Sequence, residues 1–211
     1  MPTSNIGSFE NGLRMILEIN PESILDVGPG FGTWAFLSRM YLDMRRDAVW
    51  KDVSSPSWSR RIEGVEAFPG YARSPLLGNL YDKIHVMTAS EFFEVNEESY
   101  DLVILSHVLE HMPKADGLFV LNRALATCGN VIVGLPLDCS TEDREPFFEN
   151  EHERHCSDWA EDIQRLREMA HVSVLEEGTN LLAWIPGKKY VEKTPAGWVS
   201  KYREPVYQQG K

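Results

Sequence analysis

Residues 24–34 read ILDVGPGFGTW. A short apolar run carries one acid, Asp26, and ends in three glycines at alternate positions, Gly28, Gly30 and Gly32. The pattern reads as a buried strand, a tight turn and the start of a helix. Glycine removes the Cβ and opens backbone conformations closed to other residues. One glycine suffices for a tight strand-to-helix turn. Three in alternation, with an acid two residues before the first, fit a nucleotide-type ligand passing close over the backbone. The dinucleotide fingerprint is G-x-G-x-x-G, whereas here the third glycine comes one position early and Thr33 follows it. Dinucleotide sites also expect an acid ~20 residues on, at the end of the second strand. Asp47 falls at that distance within a polar stretch, and Glu66 closes the apolar IEGVE much farther along. The spacing speaks against NAD. An NAD-type oxidoreductase and a non-catalytic cofactor-binding scaffold stay open as alternatives to an enzyme using another nucleotide-type cofactor.

Working outward, residues 9–20 form a short amphipathic helix stopped by Pro21. A helix is expected from Thr33 to about Asp47, with Trp34, Leu37, Tyr41 and Met44 on its buried face. Residues 48–60 read as a long polar connection. RIEGVEAF is the second strand, and Pro69 suits the first turn of a helix reaching about Leu80. KIHVMTA, YDLVILS and NVIVGLP are strands three to five, with a helix ending near Thr127 between the last two. Residues 157–170 read as a helix capped by Ser157. HVSVLEEG and NLLAWIP form a closing hairpin around a Gly-Thr turn. Alternating strands and helices predict an α/β fold: a Rossmann-like, mostly parallel seven-stranded sheet with helices on both faces and an antiparallel C-terminal hairpin strand. Such sheets bind ligands at the carboxyl ends of their strands, where the strand order reverses.

At 211 residues the chain fits one domain, expected over 1–187, followed by a basic tail over 188–211. The net charge of −11 argues against nucleic acid as a partner. No apolar run reaches the ~18 residues of a membrane-spanning helix, and the first residues carry no secretion-signal pattern. Cys128, Cys139 and Cys156 lack metal-type spacing and suit reduced thiols, so a cytoplasmic protein is expected. The acid-rich stretch 142–162 reads as solvated surface.

With these motifs in place, the chain resembles the class I S-adenosylmethionine-dependent methyltransferases, especially the small-molecule group. LDVGPGFG is similar to their first motif, D/E-x-G-x-G-x-G, GVEAFPGY to the second and YDLVILSHVLEHM to the fourth. VMTASEFF resembles the third, with Thr88 where the family often has an acid. The resemblance implies S-adenosylmethionine as cofactor and a small-molecule methyl acceptor. It implies that Gly28 and Gly30 border the methionine part and that Asp26 faces its ammonium. Glu66 accepts from the ribose hydroxyls, and Ala67 and Phe68 border the adenine. Ala89 and Ser90 meet its other edge, although Ser90 also reads as a helix N-cap. Ser106 and His107 sit near the sulfonium.

An acceptor hydroxyl or amine also needs a base, and His107, His111 and His155 are the candidates. His107, Glu110 and His111 match H-x-x-E-H, but that metal pattern needs a continuous helix. His107 directly follows an apolar strand and a further ligand is missing, so no metal is expected. A second cluster, Asn150, Glu153, His155, Ser157 and Trp159, spells N-x-x-E-x-H-x-S-x-W. It falls between the fifth strand and a helix, where the methyltransferases that the chain resembles carry substrate-side lids, and it is similar to stretches of some bacterial methyltransferases near glycan pathways. It reads equally as a surface turn capping a helix.

Overall fold

The computed structural model describes residues 6–46, 49–50, 58–137, 149–176 and 180–188. The apolar runs read above become β1 (Ser23–Val27), β2 (Arg61–Val65), β3 (Lys83–His85), β4 (Leu102–Ser106), β5 (Asn130–Pro136), β6 (Val172–Glu176) and β7 (Asn180–Pro186). They form one sheet in the order β3-β2-β1-β4-β5-β7-β6. β3, β2, β1, β4 and β5 run parallel; β7 pairs antiparallel with both β5 and β6. Strand order therefore reverses between β1 and β4, and the carboxyl ends of those strands open a crevice there.

Alternation along the strands divides the core. Leu25, Val27, Val103, Leu105, Val131 and Val133 pack on one face, against Phe92 and Phe93 of α5 (Ala89–Val95) and Val120, Leu121 and Ala124 of α6 (Lys114–Thr127). On the other face, Ile24, Ile62, Leu102, Ile104 and Ile132 meet Met15 and Ile16 of α1 (Ile6–Ile19) and Trp34 and Ala35 of α2 (Thr33–Ser38). Helices thus cover both faces, as the alternating pattern required.

Three elements differ from the sequence reading. The long helix expected after Gly32 is α2 followed by a π-helical stretch, Arg39–Met44, and its buried face is Trp34, Ala35, Ser38 and Leu42. The face moves because Arg39 and Asp43 are buried as well, 3.0 Å apart. Arg60 lies 3.3 Å from the same carboxylate, and the Arg39 guanidinium also donates to the Arg60 and Leu80 carbonyls. These partners satisfy charges that hydrophobic periodicity assigns to solvent. The helix expected over 69–80 is two, α3 (Pro69–Ala72) and α4 (Pro75–Leu80). Pro75 forces Ser74 into an extended conformation, and the Ser74 hydroxyl then accepts from the Leu76 N–H to cap α4. Finally, α7 begins only at Ile163 and ends at Met169. Ser157 is not its cap. The hairpin's Gly-Thr turn, Asp47 and residues 189–211 of the basic tail lie outside the described residues. Among the described residues, no helix is long and apolar enough to cross a membrane.

Candidate active site

The glycine loop has two separable jobs. Gly28, Gly30 and Gly32 all take left-handed φ values, 67°, 54° and 81°. The Gly28 N–H donates to the Val65 carbonyl at 2.9 Å and ties the loop to β2. A Cβ on Gly32 would lie 2.9 Å from Leu77 and 3.0 Å from Leu80, so this glycine seats the start of α2 against α4. Gly28 and Gly30, by contrast, line a cavity of about 330 Å³ at the carboxyl ends of β1, β2 and β4, large enough for a small-molecule site.

Glu66 closes one side of this cavity. It is 6% exposed, and one carboxylate oxygen accepts from the Phe68 N–H at 2.8 Å. The Gly30 N–H also donates to this carboxylate. Burial raises its pKa, the two backbone donors pull it down, and the charge of Glu153 adds to the rise. Ala67, Ala89 and Ser90 line the cavity as well. The N-cap of α5 is Thr88, not Ser90: the Thr88 hydroxyl accepts from the Glu91 N–H, and the Glu91 carboxylate accepts from the Thr88 N–H at 2.9 Å. Thr88 thus spends its side chain on a capping box, while Ser90 stays on the cavity wall. Phe68 lies outside the wall and packs edge-on against Tyr71, with ring centroids 5.0 Å apart.

Asp26 lies beneath the loop rather than on the cavity wall. It is 1% exposed and accepts from the Tyr81 hydroxyl at 2.6 Å. Burial pushes its carboxyl up to about 7, against the pull of the Tyr81 hydrogen bond and with a further push from Glu66.

Ser106, His107 and His111, from the end of β4 and the turn after it, also line the cavity. His107 adopts φ 54°, a left-handed conformation uncommon outside glycine. Its N–H donates to the Gly134 carbonyl at 2.9 Å, and its Nδ1 lies 3.3 Å from Glu110 Oε1. Residues Leu109–His111 form one 3₁₀ turn, not a continuous helix. His155 does not line the cavity; its ring stands edge-on to His111, with centroids 4.9 Å apart.

The segment carrying His155 gives each residue of N-x-x-E-x-H-x-S-x-W a task. The Asn150 side chain accepts from the His152 N–H and caps the 3₁₀ turn Glu151–Glu153. Glu153 accepts from the Tyr71 hydroxyl at 3.0 Å, and burial together with that carboxylate pushes the phenol up to about 12. Ser157 Oγ and Trp159 Nε1 both donate to the Leu109 carbonyl at 3.2 Å. The Glu110 carbonyl accepts from the N–H groups of Cys156 and Ser157. The arm is therefore stapled to the turn after β4 and folds over the crevice. It brings Asn150, His152 and Glu153 onto the cavity wall. The sequence pointed to the arm as a whole on the substrate side; it gave no sign of Tyr71 and Asp116 on the site. No lysine or arginine lines it among the described residues, whereas Glu66, Asp116 and Glu153 do. Such a wall favours a cationic ligand. The expectation against a metal counted His107, Glu110 and His111; the fold brings His155 beside the last two, so that donor atoms of Glu110, His111 and His155 lie within 4.8 Å of one another.

The comparisons agree with this architecture. Residues 9–179 match the model of a methyltransferase-domain family, and the chain belongs to that family. No curated protein matches it in sequence. Among solved structures, the chain is similar to the N-terminal domain of EvdMO1 determined in the presence of SAH and D-fucose, with 12% identity, coverage of 88% and 85% of the two chains, and a TM-score of 0.59. It is also similar to the plantazolicin methyltransferase BamL in complex with a triazolic desmethylPZN analog and SAH, at 13% identity, 86% and 85% coverage and a TM-score of 0.53. A putative O-methyltransferase from Nostoc punctiforme matches at 17% identity, 83% and 55% coverage and a TM-score of 0.51. At these identities the likeness is one of fold.

Proposed function

We propose that this methyltransferase takes its methyl group from S-adenosylmethionine and passes it to an oxygen or nitrogen of a small-molecule acceptor. One observation supports this most. The cavity is lined by Gly28, Gly30 and Glu66 from the β1 and β2 ends and by His107 and His111 from the turn after β4, without a lysine or arginine among its described lining residues. A cationic sulfonium cofactor suits the carboxylates, the bare glycine backbone and the pinned Glu66. S-adenosylmethionine supplies the activated methyl, and the protein's part is to bind and align. Glu66 has been drawn out of water and holds acceptor capacity for the cis-diol of a ribose. Ala67, Ala89 and Ser90 flank the space for a flat base. Asp26 supports the loop from below, bonded to Tyr81, rather than touching the ligand. As the acceptor attacks in line, it must lose a proton. His107, His111 and His152 are the imidazoles on that wall, and imidazole titrates near neutrality.

Calorimetry with S-adenosylhomocysteine and with NAD tests the reading. S-adenosylhomocysteine should bind with one-to-one stoichiometry and NAD should give no heat. Glu66→Gln should weaken the first by about 10- to 100-fold, the effect of losing a charge-assisted hydrogen bond. Binding of NAD alone, or an unchanged dissociation constant for Glu66→Gln, would refute it.

A further inference from the structure

We propose that Glu110, His111 and His155 form a divalent metal site beside the cavity, at the turn after β4. One donor atom from each residue lies within 4.8 Å of the other two. Donors on a tetrahedral ion at ~2.1 Å bond lengths stand ~3.4 Å apart, so side-chain shifts of about an ångström close the set.

Glu110 is the first independent pointer to a cation. It is 1% exposed, and its Oε1 lies 3.3 Å from His107 Nδ1. Its Oε2 is buried with no hydrogen-bond partner among the described residues. A carboxylate oxygen taken from water and left unpartnered is costly, and a bound cation removes that cost. The second pointer is His111. Its Nδ1 lies 3.2 Å from the Arg154 carbonyl. A carbonyl only accepts, so Nδ1 carries the proton and the lone pair is on Nε2. Metal-ligating histidines are held in this way, by a second-shell acceptor on the nitrogen that does not bind the ion.

The frame around the site is also fixed in advance. The Glu110 carbonyl accepts from Cys156 N–H at 2.7 Å and Ser157 N–H at 3.2 Å, immediately after His155. The two segments that supply the donors are thus joined by their own backbones, and the left-handed turn at His107 brings its ring onto Glu110. Two imidazoles and one carboxylate suit zinc, manganese or ferrous iron better than calcium or magnesium.

His111 belongs to the cavity wall as well as to the cluster, so coordination positions left open on that side are available to an acceptor oxygen. This role rests on the methyltransferase reading; the metal site does not. A cation lowers the pKa of a coordinated hydroxyl. The hydroxyl proton then passes to His152, which lines the same cavity, or to water. The oxygen bonds to the methyl carbon as the carbon–sulfur bond breaks, and its electron pair returns to sulfur.

The test uses the full chain without a polyhistidine tag, stripped with a chelator and titrated calorimetrically with zinc chloride and with manganese chloride. Wild type should bind one equivalent of at least one of them. Glu110→Gln and His155→Ala should each lower affinity by about a hundredfold or more, beyond the 10–100-fold of a second-shell loss. His171→Ala, whose ring packs on Trp184, should bind as wild type does. Melting curves establish that each variant folds, and a variant that fails is replaced by His155→Gln. S-adenosylhomocysteine titrations on the same samples separate the two readings: metal binding without S-adenosylhomocysteine binding supports the site and refutes the cofactor, and the converse does the reverse. No stoichiometric binding of either metal, or equal affinity in wild type, Glu110→Gln and His155→Ala, overturns the proposal.

Discussion

Replacing Asp26 by Asn should change how stability depends on pH, by an amount the structure sets. Asp26 has a carboxyl pKa of 3.8 in the unfolded chain and about 7 in the fold, chiefly because burial disfavours its charge. Between those values the folded state holds a proton that the unfolded state has lost. Stability from this group is therefore complete below pH ~4 and is lost as pH rises through ~7. The window is about three pH units at ~1.4 kcal/mol each, or about 4 kcal/mol in total. Asn keeps the shape and can still accept from the Tyr81 hydroxyl, which lies 2.6 Å from the Asp26 carboxylate, but it does not titrate. Other acids titrate alike in both proteins and cancel in the difference. Urea unfolding from pH 5 to pH 8 should show wild type losing about 3 kcal/mol relative to Asp26→Asn, with the difference flat above pH ~7.5. Tyr81→Phe removes a hydrogen bond that lowers the Asp26 pKa, so it should extend the falling region to higher pH. Parallel stability curves for wild type and Asp26→Asn would refute a protonated Asp26 beneath the loop.

Two further substitutions probe the frame. Trp159 is fully buried, its Nε1 donates to the Leu109 carbonyl and its ring sits under Lys114 at 3.7 Å. Trp159→Ala should cost about 3–5 kcal/mol in urea unfolding, and a loss below ~1 kcal/mol would mean the arm is not held by this residue. Gly32→Ala places a Cβ 2.9 Å from Leu77 at φ 81°, so it should lower stability by about 1–3 kcal/mol. Gly32 does not line the cavity, so affinity for S-adenosylhomocysteine should stay within about twofold of wild type; a larger drop would return Gly32 to the ligand loop.

What could be read in advance follows from how local each determinant is. The sheet was legible because five apolar runs and a hairpin each carry their own signal, and the glycines and Glu66 marked the cavity because strand ends and loop chemistry are adjacent in sequence. The single purpose read into Gly28, Gly30 and Gly32 divides in the fold: the contact that makes Gly32 necessary comes from Leu77, 45 residues on. Arg39, Asp43 and Asp26 escaped for the same reason, since their burial is made tolerable by partners far along the chain, Arg60 and Tyr81. The arm is different, because its signal was present and two readings of it stayed open. Glu153, His155, Ser157 and Trp159 recur every second residue, which is the spacing of an extended segment and not of a helix cap. From Cys156 onward burial follows that period: Ser157 and Trp159 are buried, whereas Cys156 and Asp158 are exposed. An extended chain lays alternate side chains toward one neighbour, so the four named groups meet Tyr71, His111 and the Leu109 carbonyl in turn. Helical spacing would have spread them around an axis. The alternation thus points to the arm that brings His155 to Glu110 and His111, where the isolated H-x-x-E-H offered too few ligands.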